Sequence, residues 1–337
     1  MFKRLNLTLG LGIVLAIEII MVPRGGAEEV AVHIQAMDPR FDRLVPQNAT
    51  IEKIADGFTW VEGPLWHKQG GYLLFSDIPA NSVHKWKPGE GVSLYLKPSG
   101  YTGASPFTGR EPGANGLALD ANGRLILCQH GDRQVARLED DGRFTKLADR
   151  YGDYRLNSPN DLVFKSNGDL YFTDPPFGLP KTFEDPDKAP VQGVYRLSQD
   201  GTVTRLIADI KAPNGIAFSP DERLLYVSDD DPDRVAWLAY DVSADGTVGQ
   251  GRVLFDASRW RKPFSGPDGL KVDRAGNIFG TRPGGVSVIA PDGTLLGTIE
   301  MGQPTSNVAW GEDGRTLFIT AGHAVYRVRV LTTGDGY

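Results

Sequence analysis

Apolar and polar residues alternate in short runs along most of the chain. Six segments share one pattern: a polar residue, usually followed by Gly, then an alternating apolar run, a turn such as D-x-x-G, and a second apolar run. The segments open at Glu62, Asn115, Asn160, Asn214, Asp268 and Asn307. Alternation with a period of two is typical of half-buried strands, and turns rich in Gly and Asp connect such strands. The pattern therefore predicts an all-β protein.

The six segments recur at intervals of 39 to 54 residues. Each continues into a third apolar run, such as GVYRLSQDG at 193–201, and a fourth, such as VTRLIAD at 203–209. Repeats of this length with four strands each are typical of propeller blades. Six such repeats predict a six-bladed β-propeller.

The last repeat ends near Leu331 after only three strands. The run IEKIAD at 51–56 resembles the fourth strands of the other repeats. We therefore expect the N-terminal strand to complete the last blade and close the ring, which leaves no unpaired sheet edge.

The composition limits the chemistry that this fold can carry. The 41 Gly and 23 Pro are spread over the whole length, as many short strands and turns require. Cys128 is the only cysteine, which excludes a disulfide framework and every zinc site built from several cysteines. Because Cys128 lies inside an apolar run, we interpret it as a core residue.

The N-terminus has the features of a secretory signal peptide. Lys3 and Arg4 precede an apolar run over 5–22, and small residues follow at 25–27. We divide the chain into a signal peptide (1–27), a lead segment (28–44), a propeller domain (45–331) and a C-terminal tail (332–337). The protein is then expected to be periplasmic or secreted. An uncleaved N-terminal anchor is the alternative, and no other stretch is long and apolar enough to cross a membrane.

The net charge argues against nucleic acid as a partner. Without residues 1–27 the chain keeps 33 basic and 41 acidic side chains, a net charge of −8. An acidic protein without a basic stripe is not suited to bind nucleic acid. We also expect no membrane association after cleavage.

The residues that open the six repeats form a candidate metal site. The innermost strand of each propeller blade runs along the central channel, so equivalent positions converge near the axis. Two carboxylates and four carboxamides stand at these positions, without Lys, Arg or His. Ca²⁺ prefers about six to eight oxygen ligands, whereas Zn²⁺ usually recruits His or Cys. These six side chains, called the ring below, therefore favour Ca²⁺, with Zn²⁺, Mg²⁺ and Mn²⁺ as alternatives. For any single Asn-Gly pair, a tight turn is the alternative role.

Four segments resemble the SMP-30/gluconolactonase family of six-bladed, calcium-dependent lactonases. They are VEGPLW at 61–66, SPND at 158–161, PNGIAFSPD at 213–221 and GPDGLKVDRAGNIF at 266–279. The stretch SGYTG at 99–103 and the insertion near 108–114 are closer to its bacterial gluconolactonase branch. The resemblance covers roughly residues 45–331.

The resemblance implies a hydrolase that opens a sugar lactone such as D-glucono-1,5-lactone to gluconate. It also implies that Glu62, Asn214 and Asp268 bind the metal, with Asn160 as a further metal or substrate contact. It supports roles for Asn115 and Asn307 less directly.

The predicted site suits the hydrolysis of a lactone ester. This reaction needs a polarised carbonyl, a delivered water and a stabilised oxyanion, and a channel-bound cation can provide the first and the third. Asp268 is the candidate catalytic residue, as general base or water-orienting carboxylate, and Glu62 is the main charged anchor. The sequence lacks a G-x-S-x-G motif, so no covalent nucleophile is indicated.

Further residues are candidates for contacts around this site. We predict that Asn115, Asn160, His130 and Arg282 bind substrate. For His130 a proton shuttle or a turn histidine is the alternative, and for Arg282 a surface arginine. The loops at 101–112 and 175–190 are candidates for a lid that sets specificity.

Asp77, Asp174 and Asp229 follow the second strands of their repeats at matching places. This regularity favours hydrogen bonding between blades over catalysis.

The sequence is also compatible with two alternative functions. One keeps the fold and the metal but changes the substrate to another lactone, an aryl ester or an organophosphate. The other is a propeller that binds a protein or glycan and holds the cation for structural reasons only.

Overall fold

Strands dominate the part of the chain that the computed structural model describes, residues 28–261 and 266–337. The strands are β1 (Glu28–Val30), β2 (His33–Ala36), β3 (Ile51–Ala55), β4 (Val61–His67), β5 (Tyr72–Asp77), β6 (Ser82–Lys87), β7 (Gly91–Leu96), β8 (Ala114–Leu119), β9 (Leu125–Gln129), β10 (Gln134–Leu138), β11 (Phe144–Ala148), β12 (Arg150–Tyr151), β13 (Tyr154–Arg155), β14 (Leu162–Phe164), β15 (Leu170–Asp174), β16 (Gly193–Leu197), β17 (Val203–Ile207), β18 (Pro213–Phe218), β19 (Leu224–Asp231), β20 (Arg234–Asp241), β21 (Arg252–Asp256), β22 (Leu270–Val272), β23 (Ile278–Ile289), β24 (Leu295–Gly311), β25 (Thr316–Ala321) and β26 (Ala324–Arg329).

Helical structure in the described ranges is limited to three short 3-10 segments, Phe41–Arg43, Thr182–Glu184 and Ser258–Trp260. The predicted all-β class is confirmed. The predicted signal peptide, 1–27, lies outside the described residues. No helix within them is long and apolar enough to cross a bilayer.

Four repeats form separate antiparallel sheets of four strands: β4–β7, β8–β11, β14–β17 and β18–β21. In each sheet, strands that are consecutive in the chain are also neighbours. Successive sheets pack face to face through apolar side chains. Ile126 and Cys128 of the second sheet, for example, share a buried cluster with Phe172 and Tyr195 of the third. This arrangement is a β-propeller, as the repeats predict.

The repeats that open at Asp268 and Asn307 differ from this scheme because they share one strand. β24 has 17 residues. Its first half pairs with β23 and β2, and its second half pairs with β25. The two repeats therefore lie in one eight-stranded sheet rather than in two separate sheets. The strand continues past Gly302 and Pro304, where Gly and Pro suggest a break: Gly302 takes a positive φ of 70°, and Pro304 pairs with Pro283 of β23.

The N-terminal strands add to the eight-stranded sheet. β3 pairs antiparallel with β26, with Ile51 opposite Val328 and Ala55 opposite Val325, and β1 pairs with β3 on its outer side. The last and first repeats also touch directly, because the Ser306 hydroxyl donates a hydrogen bond to the Val61 carbonyl over 2.7 Å. An apolar cluster that contains Phe318 of β25 and Phe75 of β5 fills the space between these repeats.

Candidate active site

Five of the residues that open the repeats lie at or just before the N-terminal ends of the first strands, and Asn307 lies within β24. Register shifts fall between Glu62 and Leu65, Ala114 and Leu117, Pro213 and Ile216, and Thr305 and Asn307. In the other two repeats, Asn160 and Asp268 precede the first residues of β14 and β22. A bulge re-aims the side chain beside it. The first strands thus leave regular pairing where the candidate ligands stand.

The Gly that follows a candidate ligand lets the next repeat approach. A Cβ on Gly116 would lie 2.6 Å from the Asn160 carbonyl oxygen, and the Gly116 N–H donates a hydrogen bond to that oxygen over 2.7 Å. Gly215 is packed in the same way against the Asp268 backbone. These glycines are therefore contacts between repeats, where a side chain has no room, and not residues of tight turns.

Glu62 is held by two donors. Its side chain is buried, with 3% of the residue exposed. Its Oε2 accepts hydrogen bonds from the Gly63 N–H over 3.0 Å and from the Asn307 Nδ2 over 3.3 Å. Asn307 is itself oriented, because its Oδ1 accepts a hydrogen bond from the Val308 N–H over 2.9 Å. The amide of Asn307 thus positions Glu62, a role that the oxygen-ring pattern alone did not assign.

The carboxyl groups of Glu62 and Asp268 face other acidic groups rather than a basic partner. Burial raises the pKa of Glu62 to about 8, and the charge of Asp161 adds to this rise. Burial, and then the charge of Glu62, raise the pKa of Asp268 well above its ordinary value. Among the described residues, the nearby ammonium of Lys271 pairs instead with Asp161, with Nζ 3.6 Å from Oδ2. Two close carboxylates in such a setting favour the binding of a cation.

The amides of the ring offer further oxygens. Asn115, Asn160 and Asn214 are buried. The Oδ1 of Asn115 has no hydrogen-bond partner in the described structure. A buried acceptor without a donor is costly, so a site with such an atom fits a ligand that brings a donor or a cation.

The donor set therefore fits an oxygen-binding divalent cation. Within residues 28–261 and 266–337, no three His, Cys, Asp or Glu side chains come together as a metal centre of those types alone. The ring is of a different kind, since it combines Glu62 and Asp268 with amide oxygens. Carboxylates and amide carbonyls are the ligands that Ca²⁺ takes, together with water.

His130 lies next to the ring on the second sheet. Its backbone N–H donates a hydrogen bond to the Gly113 carbonyl over 3.1 Å, two residues before Asn115. Its Nδ1 is 3.0 Å from the Glu111 Oε2, and its Nε2 is buried without a partner in the described structure. Sequence reasoning missed Glu111, because nothing in a loop of Gly, Pro and polar residues distinguishes this carboxylate from a solvated one.

Arg282 is buried, and its guanidinium is already engaged. Nε donates to the Ser287 hydroxyl over 3.0 Å, Nη1 donates to the Pro283 carbonyl over 3.0 Å, and Nη2 pairs with Glu300. The Trp260 ring lies 4.4 Å from the guanidinium carbon. A substrate contact by Arg282 stays a prediction, because the contacts described here all join the guanidinium to other groups of the protein.

Asp161, like Glu111, is an acidic residue near the site that the repeat pattern did not identify. It stands where the repeats that open at Glu62, Asn115 and Asn214 have Gly, which is a signal that the alignment of repeats contains. Asp161 is buried, and its charge raises the pKa of both Glu62 and Asp268.

Asp77, Asp174 and Asp229 lie at or near the ends of the second strands, and, contrary to the expectation from the sequence, they do not join blades. Asp174 accepts hydrogen bonds from the N–H groups of Asn157 and Ser158 over 2.8 and 2.9 Å, on the segment that enters its own repeat. Asp77 and Asp229 likewise accept hydrogen bonds from residues of their own repeats. The bonds stay within a repeat because the end of a second strand lies beside the segment that leads into the first strand.

Cys128, as predicted, is a core residue, and burial raises its pKa.

The two candidate lid loops touch each other and His130. Gly109 of the first loop lies against Pro180 of the second, and Gly178 of the second is packed on the His130 ring. Tyr101 and Phe107 have ring centroids 5.1 Å apart within the first loop. A role in specificity stays a prediction.

The fold and the site define an enzyme-like propeller with an acidic, amide-lined centre. Residues 60–323 match the SMP-30/Gluconolactonase/LRE-like region, and the chain belongs to this family. A gluconolactonase of Zymomonas mobilis subsp. mobilis is 42% identical over 309 residues, which cover 89% of this chain and 87% of that protein. Family and relatives make the protein an enzyme, a hydrolase of the lactonase class.

Solved structures agree with this assignment. The gluconolactonase of Xanthomonas campestris is 32% identical with a TM-score of 0.78, over 92% of this chain and 99% of that one. Regucalcin of Agrobacterium tumefaciens, a calcium-binding protein, is 20% identical with a TM-score of 0.67, over 85% of this chain and 94% of that one. At that identity regucalcin is evidence for the fold alone.

Proposed function

We propose that the protein is a gluconolactonase that depends on a divalent cation, with Ca²⁺ as the native metal and a sugar lactone such as D-glucono-1,5-lactone as substrate. One observation carries the proposal: Glu62 and Asp268 lie close enough for the charge of one to raise the pKa of the other, and the neighbouring Lys271 pairs elsewhere. The gluconolactonases among the relatives support the choice of substrate.

Glu62, Asn160, Asn214 and Asp268 would hold the cation through carboxylate and amide oxygens. When bound, the cation polarises the lactone carbonyl and stabilises the negative charge that develops on its oxygen. Gly63 and Asn307 keep the Glu62 carboxylate in place through their hydrogen bonds.

Asp268 orients and deprotonates the water that attacks the lactone. Its carboxylate accepts a hydrogen bond from this water, orients it towards the carbonyl carbon, and takes its proton as the new C–O bond forms. The ring C–O bond then breaks, and Asp268 returns the proton to the leaving oxygen, which becomes the hydroxyl of the open-chain acid. A carboxylate that also serves as a metal ligand is a weak base, so orientation is the larger part of this role.

The proposed enzyme is one closed domain over residues 45–331, with a lead segment at 28–44 and a tail at 332–337. We propose that the two halves of the eight-stranded sheet are the fifth and sixth blades, joined through β24. The pairing of β3 with β26 and the bond from Ser306 to Val61 support a ring of six blades that the N-terminal strand closes.

We further propose that the mature protein is exported after removal of residues 1–27. The basic start, the apolar run and the small residues at 25–27 support this proposal. The mass of the mature chain and its presence in a periplasmic or secreted fraction are the tests. A full-length chain in the membrane fraction would instead support an uncleaved anchor.

The function is tested with a panel of lactones, aryl esters and organophosphates. Each is incubated with the protein in Ca²⁺, after EDTA, and after EDTA followed by Ca²⁺, Mg²⁺, Mn²⁺ or Zn²⁺. We expect hydrolysis of D-glucono-1,5-lactone that EDTA abolishes and Ca²⁺ restores. A preference for esters would reassign the substrate. The hydrolysis of none of them with any metal would overturn the enzymatic assignment in favour of a binding propeller.

A further inference from the structure

His130, directly after β9, and Asn115, in β8, present two buried acceptors without donors in the described structure. The backbone of His130 is bonded to Gly113, two residues from Asn115, so both side chains stand at the same end of the second sheet. The unpartnered atoms are Nε2 of His130 and Oδ1 of Asn115. Such atoms lose their hydrogen bonds to water on folding and recover them only from a ligand or a bound water.

The Glu111 carboxylate determines which ring nitrogen of His130 can accept a hydrogen bond. An ionised carboxylate can only accept hydrogen bonds, so the Nδ1 that lies 3.0 Å from Glu111 Oε2 carries the proton. In the neutral imidazole Nε2 is then the free acceptor. The imidazole has no room to turn, because only 1% of His130 is exposed and Gly178 lies directly against its ring.

The same carboxylate faces the candidate metal site. The charge of Glu111 contributes to the raised pKa of both Glu62 and Asp268, which places Glu111 near the ring. Glu111 itself is partly exposed, with 30% of its side chain accessible, so the pair stands between the loop surface and the buried centre.

We propose that Glu111 and His130 form a pair that recognises a substrate hydroxyl: Glu111 holds His130 with its proton on Nδ1, and Nε2 accepts a hydrogen bond from a hydroxyl group of the lactone. This inference rests on the proposed lactonase function and adds to it a determinant of specificity. His130 contacts the substrate, and Glu111 is a positioning residue. The pair distinguishes a hydroxylated lactone from a bare lactone ring, because only the former brings the donor.

The test compares D-glucono-1,5-lactone with δ-valerolactone, the same ring without hydroxyl groups. We expect His130→Leu to lower kcat/KM for gluconolactone about 10- to 100-fold and to leave δ-valerolactone within about twofold, as the loss of one buried hydrogen bond implies. His130→Gln, whose amide oxygen can reach the position of Nε2, should recover part of the loss. Glu111→Ala should resemble His130→Leu, whereas Glu111→Gln keeps an acceptor for Nδ1 and should stay near wild type.

Two kinetic outcomes overturn the proposal. An equal loss of kcat/KM on both lactones would mean that His130 contacts the attacking water or the ester group. No loss on either lactone would mean that His130 contacts no substrate. Circular dichroism and thermal unfolding of each variant show that a loss does not come from misfolding.

A binding measurement separates this inference from the proposed function. 1,5-Anhydro-D-glucitol has a hydroxylated six-membered ring but no ester, and calorimetry reports its affinity whether or not the protein is a lactonase. We expect His130→Leu to weaken its binding at least tenfold. Equal affinity of wild type and variant, or no binding to wild type, would contradict a hydroxyl contact. The absence of lactone hydrolysis by wild type would instead contradict the function.

Discussion

The side-chain amide of Asn307 donates a hydrogen bond to the Glu62 carboxylate across 3.3 Å, although the two residues belong to the last and the first repeat. Asn307 therefore does more than occupy a sixth position in a ring of oxygen donors. Its Oδ1 is taken by the Val308 N–H, and its amide group faces Glu62. The contact thus joins the last repeat to the first at the candidate metal site.

Asn307→Ala should weaken Ca²⁺ binding about tenfold and leave the fold intact, because residues that orient a metal ligand typically contribute on that scale. Calorimetric titration of Ca²⁺ into the metal-free protein gives the affinity. Asn167→Ala, on a turn of the third sheet, is the control and should bind as wild type does. Unchanged affinity in Asn307→Ala would remove the positioning role.

The stability of the metal-free protein should depend on pH through Glu62. Burial raises the pKa of this carboxyl from 4.5 to about 8, so between these values the folded protein binds more protons than the unfolded chain. The free energy of unfolding then falls as the pH rises from about 5 to about 8. Ca²⁺ favours the ionised carboxylate, so the increase in Tm on adding Ca²⁺ should grow over the same range.

Differential scanning calorimetry of wild type and Glu62→Gln, with EDTA and with Ca²⁺, checks this dependence. Asp174, whose pKa burial raises to about 7, contributes the same background to both proteins, whereas Asp268, whose pKa the charge of Glu62 raises, contributes less in Glu62→Gln. Glu62→Gln should flatten the pH dependence and lose the Ca²⁺ effect. Equal slopes in the two proteins would show that Glu62 does not carry the effect.

Gly116→Ala should destabilise the protein by about 1–3 kcal/mol, the usual cost of forcing an extra methyl group into a packed site. Its Cβ would lie 2.6 Å from the Asn160 carbonyl oxygen, which is backbone and cannot swing away. Gly249→Ala is the matched control, because its Cβ would meet nothing closer than 3.7 Å. Urea denaturation measures both, and equal midpoints would contradict the close approach of the two repeats.

Deletion of residues 46–57 should unfold the domain, because it removes β3 and leaves β26 with an unpaired edge. A chain that begins at His33 is the control: it loses only β1, which lies on the outer side of β3. Circular dichroism and gel filtration distinguish a folded monomeric species from an aggregate. A deletion variant that stays folded and active would refute closure by the N-terminal strand.

The repeat pattern predicted the propeller and the positions that open its units because both follow from local signals. Alternating runs, D-x-x-G turns and polar residues before Gly are visible within about 16 residues. The continuous strand β24 was not predictable in this way, since Gly302 and Pro304 have the composition of a turn, whereas pairing with β23 as far as Pro304 and with β25 beyond it makes the strand continuous.

The candidate site was predictable only in part, for the same physical reason. Glu62 and Asp268 stand at repeat positions, but the contact between Glu111 and His130 joins a loop to the end of a strand 19 residues later. Such a contact depends on how the loop folds back, which no periodicity encodes. Arg282 has its partners Glu300 and Trp260 for a similar reason, since the packing of the fifth repeat decides where its guanidinium lies.

The most direct test of the central claim is the rate of D-glucono-1,5-lactone hydrolysis by Asp268→Ala in saturating Ca²⁺. We predict a folded protein whose kcat/KM is lower by about a thousandfold, within the range for loss of a general base or water-orienting carboxylate. Asp292→Ala, at an exposed ion pair with Arg40, should keep the wild-type rate. Wild-type activity in Asp268→Ala would contradict hydrolysis at this ring of carboxylates and amides.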